Sequence, residues 1–151
     1  MIVIDRYNPR TDREALKEIF EDFIENKSHF FSHWEKFEKE LNQRLNSLEY
    51  RNGMVIAKED GKMIGFGTYT KFKDYLGNDS VLIHQVMTKK EDSYTKGIEE
   101  MIIKELHSYI KKTLKLDKAY YICPDSDSAL RSIFMKLGIK KSKFAFYEID
   151  L

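Results

Sequence analysis

Residues 81–87 read as a strand, and His84 lies within them. Its imidazole, with an ordinary pKa of about 6.5, suits proton abstraction near neutral pH. A strand histidine also serves as a plain structural hydrogen-bonding group. Gln85 falls on the opposite strand face and cannot act as a base. His29 and His33 are four apart, a spacing that on one continuous helix would offer two imidazoles to a metal ion. Ser32, read as a helix N-cap, interrupts such a helix between them, and the glutamate of an HExxH pattern is missing, so no metal site is expected. Cys123, the single cysteine, closes an apolar stretch before Pro124 and reads as a small packed residue, not a nucleophile. A lone cysteine also excludes an internal disulfide and a cysteine-rich zinc site.

Those residues need elements to hold them. Ile2-Val3-Ile4 alternates into Asp5-Arg6-Tyr7 as a strand that Asn8-Pro9 ends. Thr11-Asp12-Arg13-Glu14 has the capping-box form and predicts a helix start at Thr11, with Leu16, Ile19, Phe20, Phe23 and Ile24 at helical spacing. Ser32-His33-Trp34-Glu35 predicts a second capped start, before Trp34, Phe37, Leu41, Leu45 and Leu48. Residues 54–57 and 63–72 read as strands joined at Asp60-Gly61, and 81–87 as another. A long helix carries Ile98, Met101, Ile102, Leu106, Tyr109 and Ile110, and a strand at 119–123 stops at Pro124. Leu130, Ile133, Phe134 and Leu137 mark a last helix after Asp127-Ser128, closed by Gly138, before a final strand at 144–149. The expected order is β-α-α-β-β-β-α-β-α-β: an α/β mixed fold with a mostly antiparallel central sheet and helices on both faces.

With 151 residues and no Pro- or Gly-rich linker, the whole span 1–151 is expected to be one domain. Lys and Arg number 26 against 25 Asp and Glu, which removes the basic footprint of a dedicated nucleic-acid binder. The lysines from Lys104 to Lys118 read as a solvated helix face. No apolar run approaches membrane-spanning length and no leader is visible, so a cytoplasmic protein is expected, without nucleic-acid or membrane partners.

The element order and several fragments resemble the GNAT superfamily of N-acetyltransferases over essentially the whole chain. Phe134-Met135-Lys136-Leu137-Gly138-Ile139 matches the family's Tyr-x-Lys-Leu-Gly-Phe, with Asp127 at its Asn position and Leu130 at its Ala position. Gly61-Lys62-Met63-Ile64-Gly65-Phe66 looks like its third strand. The resemblance implies that acetyl-CoA binds where the fourth strand passes into the third helix, with the backbone of Val86, Met87 and Thr88 along the pantetheine arm. It implies that Tyr94-Thr95-Lys96-Gly97-Ile98-Glu99 is the pyrophosphate loop. There Gly97 and Lys96 keep the pattern, while Tyr94 and Glu99 replace its first basic or amide residue and its last small one. Unpaired helix N–H groups and the dipole form an anion site in such a loop, and the Glu99 carboxylate repels the anion.

The same resemblance implies that His84 stands where family members place a base or water-bridging group. Phe134 stands at the position of the tyrosine that protonates the departing thiolate, yet has no proton to give. Tyr121 and Tyr147 are conceivable substitutes that also read as sheet aromatics. Asp127 caps the last helix but adds negative charge beside an anionic cofactor. Two readings follow: an N-acetyltransferase acting on a primary amine of a small molecule or peptide, or a non-catalytic GNAT-like domain that has lost the chemistry. Another acyl donor is a third, and a homodimer is compatible with each.

Overall fold

Strand β1 (Ile2–Arg6) leads through Asn8 into α1 (Pro9–Asn26). The computed structural model, which describes residues 1–27 and 29–151, moves the helix start from Thr11 to Asn8. The Asn8 side chain accepts from the Arg10 N–H at 3.0 Å, and Pro9 takes the first helical position, where a missing N–H costs nothing. Asp12, not Glu14, reaches back to the Asn8 N–H, at 2.9 Å. The second helix, α2 (Trp34–Leu45), has His33 as N-cap with no side-chain cap bond, so the Ser32 box does not form.

Strands β2 (Val55–Glu59) and β3 (Lys62–Gly67) join through Asp60 and Gly61, both at positive φ (52° and 82°), the backbone that a two-residue hairpin turn requires. The single strand expected at 63–72 breaks at Thr68, and β4 (Tyr69–Lys73) follows. Residues 81–87 likewise divide into β5 (Asp79–Ile83) and β6 (Met87–Thr88). The breaks have one cause: the two ends of this hairpin serve different sheets. One sheet has the order β1-β2-β3-β6, antiparallel throughout, and the other β4-β5-β7, where β7 is Ala119–Tyr121 and runs parallel to β5. The mixed, mostly antiparallel fold class holds, with its sheet in two parts.

Helix α3 (Ile98–Tyr109) is extended by one π turn at Ile110–Leu114. Helix α4 (Ser128–Lys136) is capped by Asp127 and closed by Gly138. Gly138 donates to the Met135 carbonyl at 3.2 Å and Ile139 to that of Phe134 at 2.8 Å, the bonds of a Schellman cap. The final strand expected at 144–149 does not form: every residue from 141 to 151 is exposed. Alternation supplies the pattern of a strand, but a ladder needs a neighbouring edge to pair with, and this segment has none beside it.

The helices pack on both faces. Ile56 and Phe66, paired across β2 and β3, bury against Leu16, Ile19 and Phe20 of α1 and Trp34 and Leu41 of α2. Val55 and Ala57 point the other way, toward Ile98, Ile102 and Leu106 of α3. On that side the partners of Val55 and Ala57 are Gly67 and Gly65, and α3 lies directly on them. A Cβ on Gly67 would come within 2.4 Å of Ile102 Cγ2, and one on Gly65 within 2.6 Å of Ile98 Cγ2. Alanine in a strand gains about 0.5–1 kcal/mol over glycine in backbone entropy, whereas overpacking a full core costs about 1–3 kcal/mol. Gly67→Ala is therefore expected to destabilise by about 1–2 kcal/mol, read as a lower urea midpoint at unchanged slope. A raised midpoint would mean that α3 can lift off the sheet.

Candidate active site

Beyond Ile83 the two parallel strands part. β5 and β7 are in register from Val81↔Ala119 to Ile83↔Tyr121, while β6 pairs only with β3. The Thr68 carbonyl accepts from the His84 N–H at 3.0 Å and holds the interruption in place. A split opens at His84–Thr88, with the start of α3 and the Asp127 cap of α4 against it.

Three side chains meet across this split. Asp127 Oδ2 accepts from the Tyr94 hydroxyl at 2.9 Å and from Gln85 Nε2 at 3.2 Å, while Oδ1 caps α4 through the Leu130 N–H at 3.0 Å. Burial, then the Asp127 carboxylate that accepts its proton, pushes the Tyr94 phenol well above the usual range. Tyr94 is also held at φ 59°, a left-handed backbone that a bulky residue rarely adopts. Lys27 Nζ lies over its ring, 5.4 Å from the centroid. Beside it is a cleft of about 220 Å³ lined by Phe23, Asn26, Lys27, Thr88, Lys90 and Ser93.

Two of the loop amides are engaged by the chain itself, that of Tyr94 by Glu99 and that of Thr95 by the Asp92 carbonyl at 3.5 Å. Glu99, only 3% exposed, accepts on Oε2 from the Tyr94 N–H at 2.9 Å and the Thr88 hydroxyl at 3.4 Å. Its carboxylate thus stands where a loop of this kind would present amides to an anion. Among the described residues its Oε1 has no hydrogen-bond partner, and neither has Gln85 Oε1. Lys96 turns away, to Glu59 at 2.8 Å and Asp92 at 3.0 Å, and Thr95 bonds the Asp92 carbonyl. Gly97, at φ 73°, caps α3 with open space around it, and Ile98 is fully buried.

His84 sits at the break itself. Its Nε2 meets Thr70 Oγ1 at 2.5 Å, and Arg44 donates to the same oxygen at 3.0 Å and to the Tyr69 carbonyl at 2.8 Å. Thr70 Oγ1 is thus shared between the Arg44 guanidinium and the imidazole. Burial first, and the Arg44 charge second, lower the pKa of the imidazole. Neither Thr70 nor Arg44 stands out in the sequence, because both come from distant elements. Gln85, set aside as no base, proves to be a hydrogen-bonding member of the split.

Of the remaining candidates, Val86 and Thr88 are buried and Met87 is half-buried. Phe134 is 9% exposed and packs on Tyr121, ring centroids 4.8 Å apart. The Tyr121 hydroxyl is spent on His107 Nε2, and Tyr147 is 94% exposed on the C-terminal segment. The Cys123 thiol is raised by burial and then by Asp127. His29 lies beside Ser126, and His33 caps α2.

No family model and no curated protein matches the sequence. Solved structures do match. The aminoglycoside N-acetyltransferase AAC(6')-Iy, in complex with CoA, superposes with a TM-score of 0.76 at 12% identity, over 99% of this chain and 95% of its own. Glucosamine-6-phosphate N-acetyltransferase from Arabidopsis thaliana gives 0.72 at 13%, over 99% and 98%. Ribosomal-protein-alanine N-acetyltransferase from Brucella melitensis biovar Abortus 2308 gives 0.70 at 14%, over 100% of both. The fold is that of the GNAT acetyltransferases.

Burial lowers the pKa of His107 as it does that of His84. A histidine whose folded pKa lies below its unfolded value of about 6.5 binds more protons unfolded. Its contribution is complete above that value and is lost as pH falls through it toward the folded pKa. Stability is therefore expected to drop between about pH 7 and 5. His84→Gln, which keeps a hydrogen-bonding group toward Thr70, should lose less over the same interval in urea titrations. Equal slopes for parent and variant would mean that water reaches the imidazole.

Proposed function

We propose that the chain is an N-acetyltransferase that takes an acetyl group from acetyl-CoA and passes it to a primary amine of a small molecule or peptide. The observation that carries this reading is the parting of β5 and β7 after Ile83, which leaves the outer edge of residues 84–88 without a strand partner among the described residues. An extended, amide-bearing arm such as pantetheine is recognised by such a free backbone edge, and the orphaned Gln85 Oε1 is an acceptor for an amide N–H. The solved neighbours, all named as acetyltransferases, support the same reaction class.

The fit is uneven along the cofactor. The backbone of Val86 to Thr88 suits the arm. The loop from Tyr94 to Glu99 suits the pyrophosphate poorly, because Glu99 already accepts from the Tyr94 N–H and brings a like charge to the phosphates. Tyr94 and Asp127, bonded to each other across the split, would have to separate before an arm could lie between them. When bound, acetyl-CoA supplies the thioester. The chain's own part is to orient the amine and take its proton, a role this reading gives to His84, kept neutral near pH 7 by burial.

Glu99 favours a second reading, a domain that retains the fold without the chemistry. Calorimetric titration with acetyl-CoA separates the two. On the first reading binding is weak, and Glu99→Ala tightens it by at least about tenfold, the scale of one removed like charge. Absence of binding in both proteins would leave the non-catalytic domain. Where acetyl transfer to an amine is measured, His84→Ala should lower turnover about 100-fold with acetyl-CoA affinity nearly unchanged, since a base acts on the amine. A variant of full rate would return His84 to a structural role.

A further inference from the structure

The free edge of residues 84–88 ends at Thr88, and Thr88 is also a wall of the cleft of about 220 Å³ beside Tyr94. An arm laid along the edge therefore leads into the cleft. Lys27 and Lys90 line it, together with Asn26 and Ser93, and Lys27 is half-buried with its Nζ over the Tyr94 ring. Lys89 and Lys96, on either side of the same loop, are tied to carboxylates, the first to Glu18 at 3.2 Å and the second to Glu59 at 2.8 Å and Asp92 at 3.0 Å. Lys27 and Lys90 have no such partner within 4 Å among the described residues. Asp22 accepts from the Lys90 N–H at 2.7 Å, and with Glu18, Glu21 and Glu91 it lines a separate open groove that shares Lys90. Two of the last carbonyls of α1 are answered by the chain, that of Asp22 by Asn26 Nδ2 at 2.8 Å and that of Phe23 by the Lys27 N–H at 2.9 Å. The cleft is thus left with two ammonium groups and a hydroxyl to offer.

The loop before α3 has the opposite character. Buried Glu99 and half-buried Asp127 have no lysine or arginine nitrogen within 4 Å among the described residues, and the donors to them are neutral. A carboxylate answered by neutral donors, and screened by little water, repels a second anion brought beside it. Acetyl-CoA brings two unlike halves to this ground: a neutral arm of amides that carries the thioester, and a nucleotide diphosphate with several negative charges. The edge and the orphaned Gln85 Oε1 suit the first half. Glu99 opposes the second. Along the path of the arm, the place for negative charge is the cleft, where a water's share of volume is about 30 Å³, so it holds one phosphate and a few waters.

We propose that this site prefers, over acetyl-CoA, a donor whose arm ends in a single phosphate: an S-acyl-4′-phosphopantetheine, its arm along residues 84–88 and its phosphate beside Lys27 and Lys90. The inference rests on the acetyltransferase reading above and alters only the far end of the donor. The reaction is unchanged by it. The amine nitrogen attacks the thioester carbonyl carbon, the C–N bond forms as the C–S bond breaks, and the sulfur leaves on the arm. The proton that the amine gives up restores the thiol, so the products are the N-acyl amine and 4′-phosphopantetheine, its phosphate untouched. Glu99 sets the specificity through its charge, which turns away the second phosphate and the nucleotide beyond it. The same arm exists free and as the prosthetic group of a carrier protein, joined there through that phosphate.

The test is calorimetric titration of the full chain with S-acetylpantetheine, S-acetyl-4′-phosphopantetheine and acetyl-CoA. The phosphorylated arm should bind about tenfold or more tighter than the unphosphorylated one, the scale of one hydrogen bond to a charged group, and tighter than acetyl-CoA. Lys27→Ala and Lys90→Ala should each remove most of what the phosphate gains. Glu99→Gln, which keeps the acceptor for Tyr94 and Thr88 and removes the charge, should bring acetyl-CoA level with the phosphorylated arm. Titration with an acetylated carrier protein then names the source: binding tighter than that of the free arm points to the carrier, and weaker binding to the free thioester. If acetyl-CoA binds tighter than both shorter thioesters, if the phosphate adds nothing, or if both lysine variants keep its gain, the proposal is overturned and the acetyltransferase reading stands. If none of the thioesters binds to the parent or to Glu99→Gln, both are overturned.

Discussion

Two missing side chains decide where everything else stands. Because Gly65 and Gly67 present bare backbone to α3, Ile98 and Ile102 settle into contact with β3 itself. That contact fixes the height of the helix over the sheet. The first turn of α3 is thereby brought to Thr88, so Glu99, one residue beyond Ile98, can only lie against the end of β6. The burial of Glu99 thus goes with the close packing of α3 on the same face of β3.

The second constraint is electrostatic. Glu99 and Asp127 both face the region between the parted strands, and each has its charge answered locally. Asp127 accepts from three donors, Tyr94, Gln85 and the Leu130 amide. Glu99 has two donors, both on one oxygen, and its other oxygen is left without a partner. An unpartnered buried oxygen costs about 1–3 kcal/mol, more than a surface ion pair returns. The arrangement therefore stores its imbalance at Glu99 and not at Asp127. Tyr94 is the common member of both clusters, bonded to one carboxylate by its N–H and to the other by its hydroxyl, and its left-handed backbone is what lets one residue reach both.

Much of this was legible in the residues. Periodicity located the helices and strands because each buries one face, and Asp60-Gly61 and Gly138 marked their turns through the positive φ they supply. What periodicity could not convey was pairing. Residues 63–72 read as one strand, yet it breaks at Thr68, since its halves belong to two sheets and only the partners reveal it. The first helix shows a competition of a different kind. Both Asn8 and Thr11 are good N-caps, and Pro9, pre-set for the first helical position, decides for Asn8. At the site, the residue types of Glu99, Asp127 and Phe134 announced a departure from the acetyltransferase pattern. The bond from Tyr94 to Asp127 could not be foreseen, because it joins residues 33 apart in sequence through a tertiary contact.

The C-terminal segment brings pattern and pairing into opposition. Residues 144–149 carry the clearest alternation late in the chain, and they form no strand. Strand propensity expresses how well a side chain fits a pleated, half-buried surface, so it has no effect until such a surface exists beside it. β7, a strand of three residues, is itself held on one side alone among the described residues. Short edges and exposed apolar strands are features that proteins otherwise suppress. Residues 144–149 thus carry the pattern of a strand without a strand's ladder, so the pattern here describes the side chains and not the pairing of the backbone.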